Sequence, residues 1–289
     1  MAEQGLLEVD TPLIASAAPS ERALDCLAVA EAGYLVPSPE HGLKRLLAAG
    51  MGAIYQLSHV FRAGEVGRWH NPEFTMLEWY REEAGLIDMM SDVDALLQHA
   101  GAPSAAPCVR YCDLFLATTA LHPLACSVEA LALFAKEQGI APPADPHVDA
   151  DRVFWLDLIM SLVVQPTLGA ERPVFVSHFP MADAVLIQAD DDDPALGLRF
   201  ECYWQGVELA NGAVELRDAA LAAERMDRER RIKHSRGGAL PPLDEHLLAA
   251  MQSGLPRCAG VALGVDRLLA LLTGAPDLDA VLAFCWARR

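Results

Sequence analysis

The stretch from Ala53 to Arg81 constrains the fold most. Ala53–Arg62 is apolar with β-branched and aromatic residues, Arg62–Asn71 is polar and carries Gly64 and Gly67, and Phe74–Arg81 is apolar again. Two such runs around a glycine-bearing polar segment predict an antiparallel hairpin with a long tip. Residues two apart on a strand share a face. Glu78 and Tyr80 therefore point the same way, and so do Phe74 and Met76. A carboxylate on an otherwise apolar face is costly to bury unless a cation meets it. The spacing leaves two readings open: an ion pair with a neighbouring arginine, or a vacancy for a ligand cation. Arg62 closes the first strand, and Arg68, His70 and Asn71 sit on the loop, where a guanidinium fork suits phosphate oxygens.

Further along, Leu131–Lys136 and Val153–Val164 read as helices around an Ala- and Pro-rich stretch, which predicts a helical insertion over about residues 101–165. Arg199–Leu209 is a third strand, with Asn211-Gly212 as a turn signal after it. Glu208 and Glu215 flank that turn and can converge, whereas Glu201, at odd spacing from Glu208, need not share its face. Converging carboxylates repel unless a metal or ammonium lies between them, and magnesium on ATP phosphates uses one or two. Solvated edge carboxylates are the equal alternative. Asp218 caps a helix that Gly237-Gly238 can end. Gly260–Gly264 is a short strand, and Val265–Leu272 reads as a helix directly behind it. The glycine spacing fits neither a dinucleotide fingerprint nor a P-loop. It does put Gly264 where a flat base can approach the backbone, with Arg267 on the first helical turn facing the same place. Strands in antiparallel order with helices around them predict one α+β domain spanning residues 1–289.

Charge and composition exclude several function classes. The formal net charge of −18 over 289 residues opposes a broad polyanion footprint. The one basic segment, Arg225, Arg228, Arg230, Arg231, Lys233 and Arg236, is either a solvated helix face or a small docking patch for an anionic partner. Val153–Val164 is too short to span a bilayer, and no cationic, apolar leader opens the chain, so a cytoplasmic protein with no membrane partner is expected. The seven cysteines are scattered, as reduced thiols would be. Asp190–Asp193 reads as a solvated connector. His41, His59, His99, His122, His147, His178, His234 and His246 follow no metal pattern and are expected to be structural.

The segments are recognisable together. Phe61-Arg62 through His70-Asn71-Pro72-Glu73-Phe74-Thr75-Met76-Leu77-Glu78-Trp79-Tyr80 resembles motif 2 of class II lysyl-tRNA synthetases, Gly260 to Arg267 resembles motif 3, and Val9-Asp10-Thr11-Pro12 resembles the end of motif 1. Gly206 to Gly212 with Glu215 is similar to the lysine-binding strand region. The match covers nearly the whole chain. Ala262, where tRNA-charging lysyl enzymes typically carry glycine, points to paralogues that have no anticodon-binding domain and attach (R)-β-lysine to elongation factor P. So do the acidic charge and a length too short for an oligonucleotide-binding domain before Pro12.

The resemblance implies a class II core with the helical insertion between motifs 2 and 3, and an ATP- and Mg2+-dependent ligase. It implies elongation factor P as acceptor, a homodimer, and no tRNA. Arg62, Glu208 and Arg267 would be catalytic. Arg62, Glu65, His70, Asn71, Phe74, Glu208, Leu209, Gly264 and Arg267 would bind ATP. Ser38, Glu40, Glu78, Tyr80, Glu215 and Ala262 would bind the amino acid, and Glu208 and Glu215 would approach magnesium. The pattern departs from motif 2 at Gly64, which stands where glutamate is usual, with Glu65 next to it. It also departs at Ala213 and Val214, and in the long helix expected before Pro12. A truncated lysyl-tRNA synthetase core and a non-catalytic amino-acid-binding regulator are the competing readings.

Overall fold

The computed structural model describes residues 1–22, 24–141, 151–238 and 240–289. Its strands are β1 (Leu7–Glu8), β2 (Ile14–Ala15), β3 (Ala28–Val29), β4 (Gly33–Leu35), β5 (Ile54–Phe61), β6 (Glu73–Glu82), β7 (Cys108–Arg110), β8 (Val174–Pro180), β9 (Leu196–Trp204), β10 (Val207–Val214) and β11 (Cys258–Gly264). Eight of them form one sheet in the order β1-β5-β6-β11-β10-β9-β8-β7. The predicted hairpin is β5 and β6, paired from Phe61↔Glu73 back to Ile54↔Tyr80. The sheet is not antiparallel throughout, because β1 joins β5 and β7 joins β8 in parallel at the two edges. A parallel neighbour needs a crossover connection. Helix Glu40–Ala48 lies in the first crossover, and helices Tyr111–Thr119, Val128–Glu137 and Arg152–Ile159 lie in the second.

The turn lies elsewhere than the sequence signal placed it. Trp204 pairs with Val207 across Gln205 and Gly206, whose φ values of 51° and 74° are those of a two-residue hairpin turn. Asn211-Gly212 sits inside β10 instead. Gly212 is there because the Phe200 ring crosses it: a Cβ would lie 2.6 Å from that ring. The expected strand Arg199–Leu209 is thus the end of β9, the turn and the start of β10.

One face of the sheet carries Trp79, Phe200, Cys202, Leu209 and Val261 into a core closed by helices Leu86–Ala100 and Val265–Thr273. The insertion has its own core around Phe115, Leu131, Trp155 and Ile159. It is helical as expected, but it also supplies the edge strand β7. His147 lies outside the described residues.

Helix Ala219–Ser235 carries the basic segment, and most of its cations are bonded to the rest of the fold, while Arg228 and Arg231 stay exposed. Arg225 donates to Ile187 O (2.9 Å), Arg230 to Pro241 O (2.9 Å), and Lys233 pairs with Asp25 (2.9 Å) while also bonding Leu24 O. Arg236 pairs with Asp151. These cations rivet the helix to four other stretches of chain, around Leu24-Asp25, Asp151, Ile187 and Pro241. The seven cysteines are free thiols.

Candidate active site

The second face of the sheet opens into a cavity of about 550 Å³. Strand alternation decides what enters it. From β6 these are Phe74, Met76, Glu78 and Tyr80, and from β11 Gly260, Ala262 and Gly264. Gly260 pairs with Tyr80 and Ala262 with Glu78. A Cβ on Gly260 would lie 2.2 Å from Tyr80 Cε1, so glycine is what lets the phenol lie flat over the strand. On β10 the register slips between Glu208 and Ala210. The bulge brings Glu208 onto the face of Asn211, Ala213 and Glu215, all of which line the cavity. Glu201, opposite Asn211, shares that face too, contrary to its odd spacing from Glu208. The turn and the bulge reset the alternation between them.

The first end of the cavity carries two guanidinium groups, each with one carboxylate near it. Arg62 follows β5 directly and packs over Phe74, its guanidinium carbon 5.2 Å from the ring centroid. Glu65 stands 3.7 Å from Arg62 and lines the same wall. Gly64, with φ at 77°, makes the turn that leaves Glu65 facing inward. Arg267 is held from behind by two carbonyls, Nε on Trp69 O (2.9 Å) and a terminal nitrogen on Glu208 O (3.0 Å), with the Glu208 carboxylate 4.0 Å away. The backbone thus orients the fork without neutralising it. Burial, then the charge of Arg267, holds His70 below the ordinary imidazole range, so it is neutral at pH 7. Asn71 lines the cavity, yet its amide donates to Glu73 O (2.5 Å) and accepts from Trp286 N (2.9 Å), which ties the loop to the C-terminal segment. A Cβ on Gly264 would meet only Arg267 Cδ at 3.6 Å, an ordinary contact, so the protein itself does not demand glycine there. Leu209 belongs to the core under the sheet and reaches the cavity at the bulge.

The second end is anionic. Glu78 is 2% exposed. Ser38 Oγ donates to one of its oxygens (2.6 Å) and Tyr80 OH to the other (2.8 Å). No lysine, arginine or histidine comes within ion-pair distance of it among the described residues. Burial, then the charge of Glu40, pushes its carboxyl up to about 7. Next to it Lys44, 1% exposed, bridges Glu40 and Glu215 at 2.5 Å each. Burial raises Glu215 to about 7 even with Lys44 beside it. Burial pushes Glu40 up as well, but Lys44 and His41 outweigh it and leave that carboxyl below its ordinary range. Lys44 therefore claims Glu215, and of the two carboxylates expected at magnesium only Glu208 stands beside Arg267. No group of three or more His, Cys, Asp or Glu side chains suited to a metal occurs among the described residues. One exposed-end carboxylate suits a magnesium ion that takes its other ligands from phosphates and water.

The structure brings Arg62, Glu65, His70, Phe74, Glu208 and Arg267 to one end, and Ser38, Glu40, Glu78, Tyr80, Glu215 and Ala262 to the other. Sequence reasoning missed Lys44 and Glu21. Lys44 had a signal, its four-residue spacing from Glu40 on one helix. The spacing is equally that of a surface pair, and only the fold puts Lys44 between Leu43 and Leu47 in the buried stripe.

Residues 1–112 and 150–288 match the family described as tRNA synthetases class II (D, K and N). Among curated proteins, the chain is 41% identical to an elongation factor P–(R)-β-lysine ligase of Photorhabdus laumondii. It is 42% identical to one of Edwardsiella ictaluri and 40% identical to one of Salmonella arizonae. Each comparison covers 98% of this chain and 89% of the relative.

Proposed function

This chain belongs to the class II tRNA synthetases (D, K and N), and we propose that it uses ATP to activate (R)-β-lysine and passes the aminoacyl group to a lysine side chain of elongation factor P. The observation that carries the reading is Glu78, a buried carboxylate with two neutral donors and, among the described residues, no cation at ion-pair distance. A substrate ammonium supplies the missing charge. Arg62 and Arg267 at the other end of the same cavity fit a triphosphate, and Phe74 offers a ring for the adenine to stack on.

In the activation step a carboxylate oxygen of the amino acid attacks the α-phosphorus in line. The bond to the β-phosphate breaks and pyrophosphate leaves. Arg62 stabilises the charge that grows on the α-phosphate, Arg267 holds the departing phosphates, and neutral His70 donates without adding charge. A magnesium ion held by Glu208 and the phosphates would neutralise the same oxygens. Glu78, Tyr80 and Ser38 fix the amino acid so that its carboxylate lies in line, which converts a collision into a positioned step. The acceptor ε-amine then attacks the activated carbonyl, AMP leaves, and the amine gives up its proton.

The net charge of −18 favours a protein acceptor over tRNA. No described helix is long and apolar enough to cross a membrane; a cytoplasmic location is part of the reading through the family resemblance. A homodimer is part of the reading through the family resemblance. The test is incubation with ATP, labelled (R)-β-lysine and either elongation factor P or tRNA. Label on the protein acceptor, with pyrophosphate exchange faster for β-lysine than for α-lysine, is expected. Label on tRNA alone would make the chain a lysyl-tRNA synthetase core instead.

A further inference from the structure

A lysine-like substrate carries two ammonium groups, and the site above accounts for one. Glu21 lines the same cavity. Its Oε2 is shut off from solvent and has no hydrogen-bond partner among the described residues. The neighbouring cations are engaged elsewhere: Arg22 bonds Glu229 (2.5 Å) and Asp151 (3.2 Å), Lys44 bridges Glu40 and Glu215, and His41 is paired with Asp244 (2.9 Å). Burial, then the charge of Glu40, pushes the Glu21 carboxyl up, against the weaker opposing pull of His41 and Lys44. Four carboxylates, Glu21, Glu40, Glu78 and Glu215, thus share two nearby basic side chains, Lys44 and His41, both already paired.

The position of Glu21 along the cavity says which ammonium it meets. Its segment reaches the phosphate end, where Ala63 N–H, one residue past Arg62, donates to Asp25 O (2.8 Å), while Glu21 itself faces Glu40, His41 and Lys44, which places it between the two ends. Glu78 and Tyr80 lie farther along β6, beyond Phe74 and Met76. We infer that Glu21 receives the amino group nearer the reacting carboxylate, while Glu78 receives the distal one, so that Glu21 reads where along the substrate chain that first amine sits. The inference rests on the proposed diamino-acid substrate.

The test compares Glu21→Gln with the parent in β-lysine-dependent pyrophosphate exchange. 6-Aminohexanoate, which keeps the carboxylate and the distal ammonium but lacks the other amine, serves as competitor. The β-lysine KM should rise about 10-fold or more, in line with loss of a charge-assisted hydrogen bond. The KM for ATP and the Ki of 6-aminohexanoate should stay within twofold, and Glu21→Asp should recover part of the loss. An unchanged or lower β-lysine KM would overturn the inference, because removing a charge beside Glu40 with no ammonium present only relieves repulsion. Equal rises for β-lysine and 6-aminohexanoate, or a matching rise for ATP, would overturn it as well. Absence of exchange in the parent with any lysine-like substrate is a different result and refutes the proposed function itself.

Discussion

Glu78→Gln separates what the uncompensated carboxylate costs the fold from what it contributes to substrate binding. In the empty protein the carboxyl is held near 7, against about 4.5 for an ordinary glutamate. A group whose folded value is raised contributes stability below its unfolded value and loses it as pH climbs to the folded one. At about 1.4 kcal/mol per pH unit, ionising Glu78 costs the empty fold about 3 kcal/mol by pH 8, of which little has accrued at pH 5. Glutamine keeps the shape and can still bond Ser38 and Tyr80 but never ionises. Its stability relative to the parent should therefore improve by about 2–3 kcal/mol between pH 5 and pH 8, read by urea or thermal unfolding. The same variant should bind β-lysine about 10- to 100-fold more weakly at pH 8, since one hydrogen bond to a charged group is worth about 1.5–3 kcal/mol. Ligand stabilisation of the parent, absent or much reduced in the variant, measures this in the same instrument. A stability difference that does not change with pH would refute an uncompensated, raised Glu78 carboxyl. So would a variant that β-lysine stabilises as well as it does the parent.

Lys44→Met should destabilise the protein by about 3–5 kcal/mol at pH 8 in urea unfolding, because it leaves Glu40 and Glu215 buried without their cation. The defect should shrink toward pH 5, as Glu215 takes a proton. Arg267→Ala should lower pyrophosphate exchange by roughly 10²-fold or more with a native circular dichroism spectrum, and near-normal exchange would remove Arg267 from its role. Gly260→Ala should force the Tyr80 ring off its seat, costing about 1–3 kcal/mol in unfolding experiments and raising the amino-acid KM more than the ATP KM.

Local pattern was enough for several features. Alternation along Phe74–Tyr80 put four side chains on one face, and one face of β6 is what lines the cavity. The polar, glycine-bearing loop between two apolar runs implied the β5–β6 hairpin, and the Gly260–Arg267 run implied a strand entering a helix. These are short-range consequences of side-chain period and turn chemistry, so neighbouring residues carry them. Tertiary structure alone decided the rest. Asn211-Gly212 is a strong turn signal locally, yet pairing of β10 with both β9 and β11 keeps it extended, and the turn falls at Gln205-Gly206. The bulge after Glu208 exists only in the register with β9, and it is what aligns Glu208 with Glu215. The basic helix reads as solvated until segments distant in the chain place carbonyls and carboxylates against it. Lys44 and Glu21 are ordinary charged residues in the sequence. The burial of Lys44 and the enclosure of Glu21 Oε2, and therefore their energetic weight, follow from which distant residues fold over them.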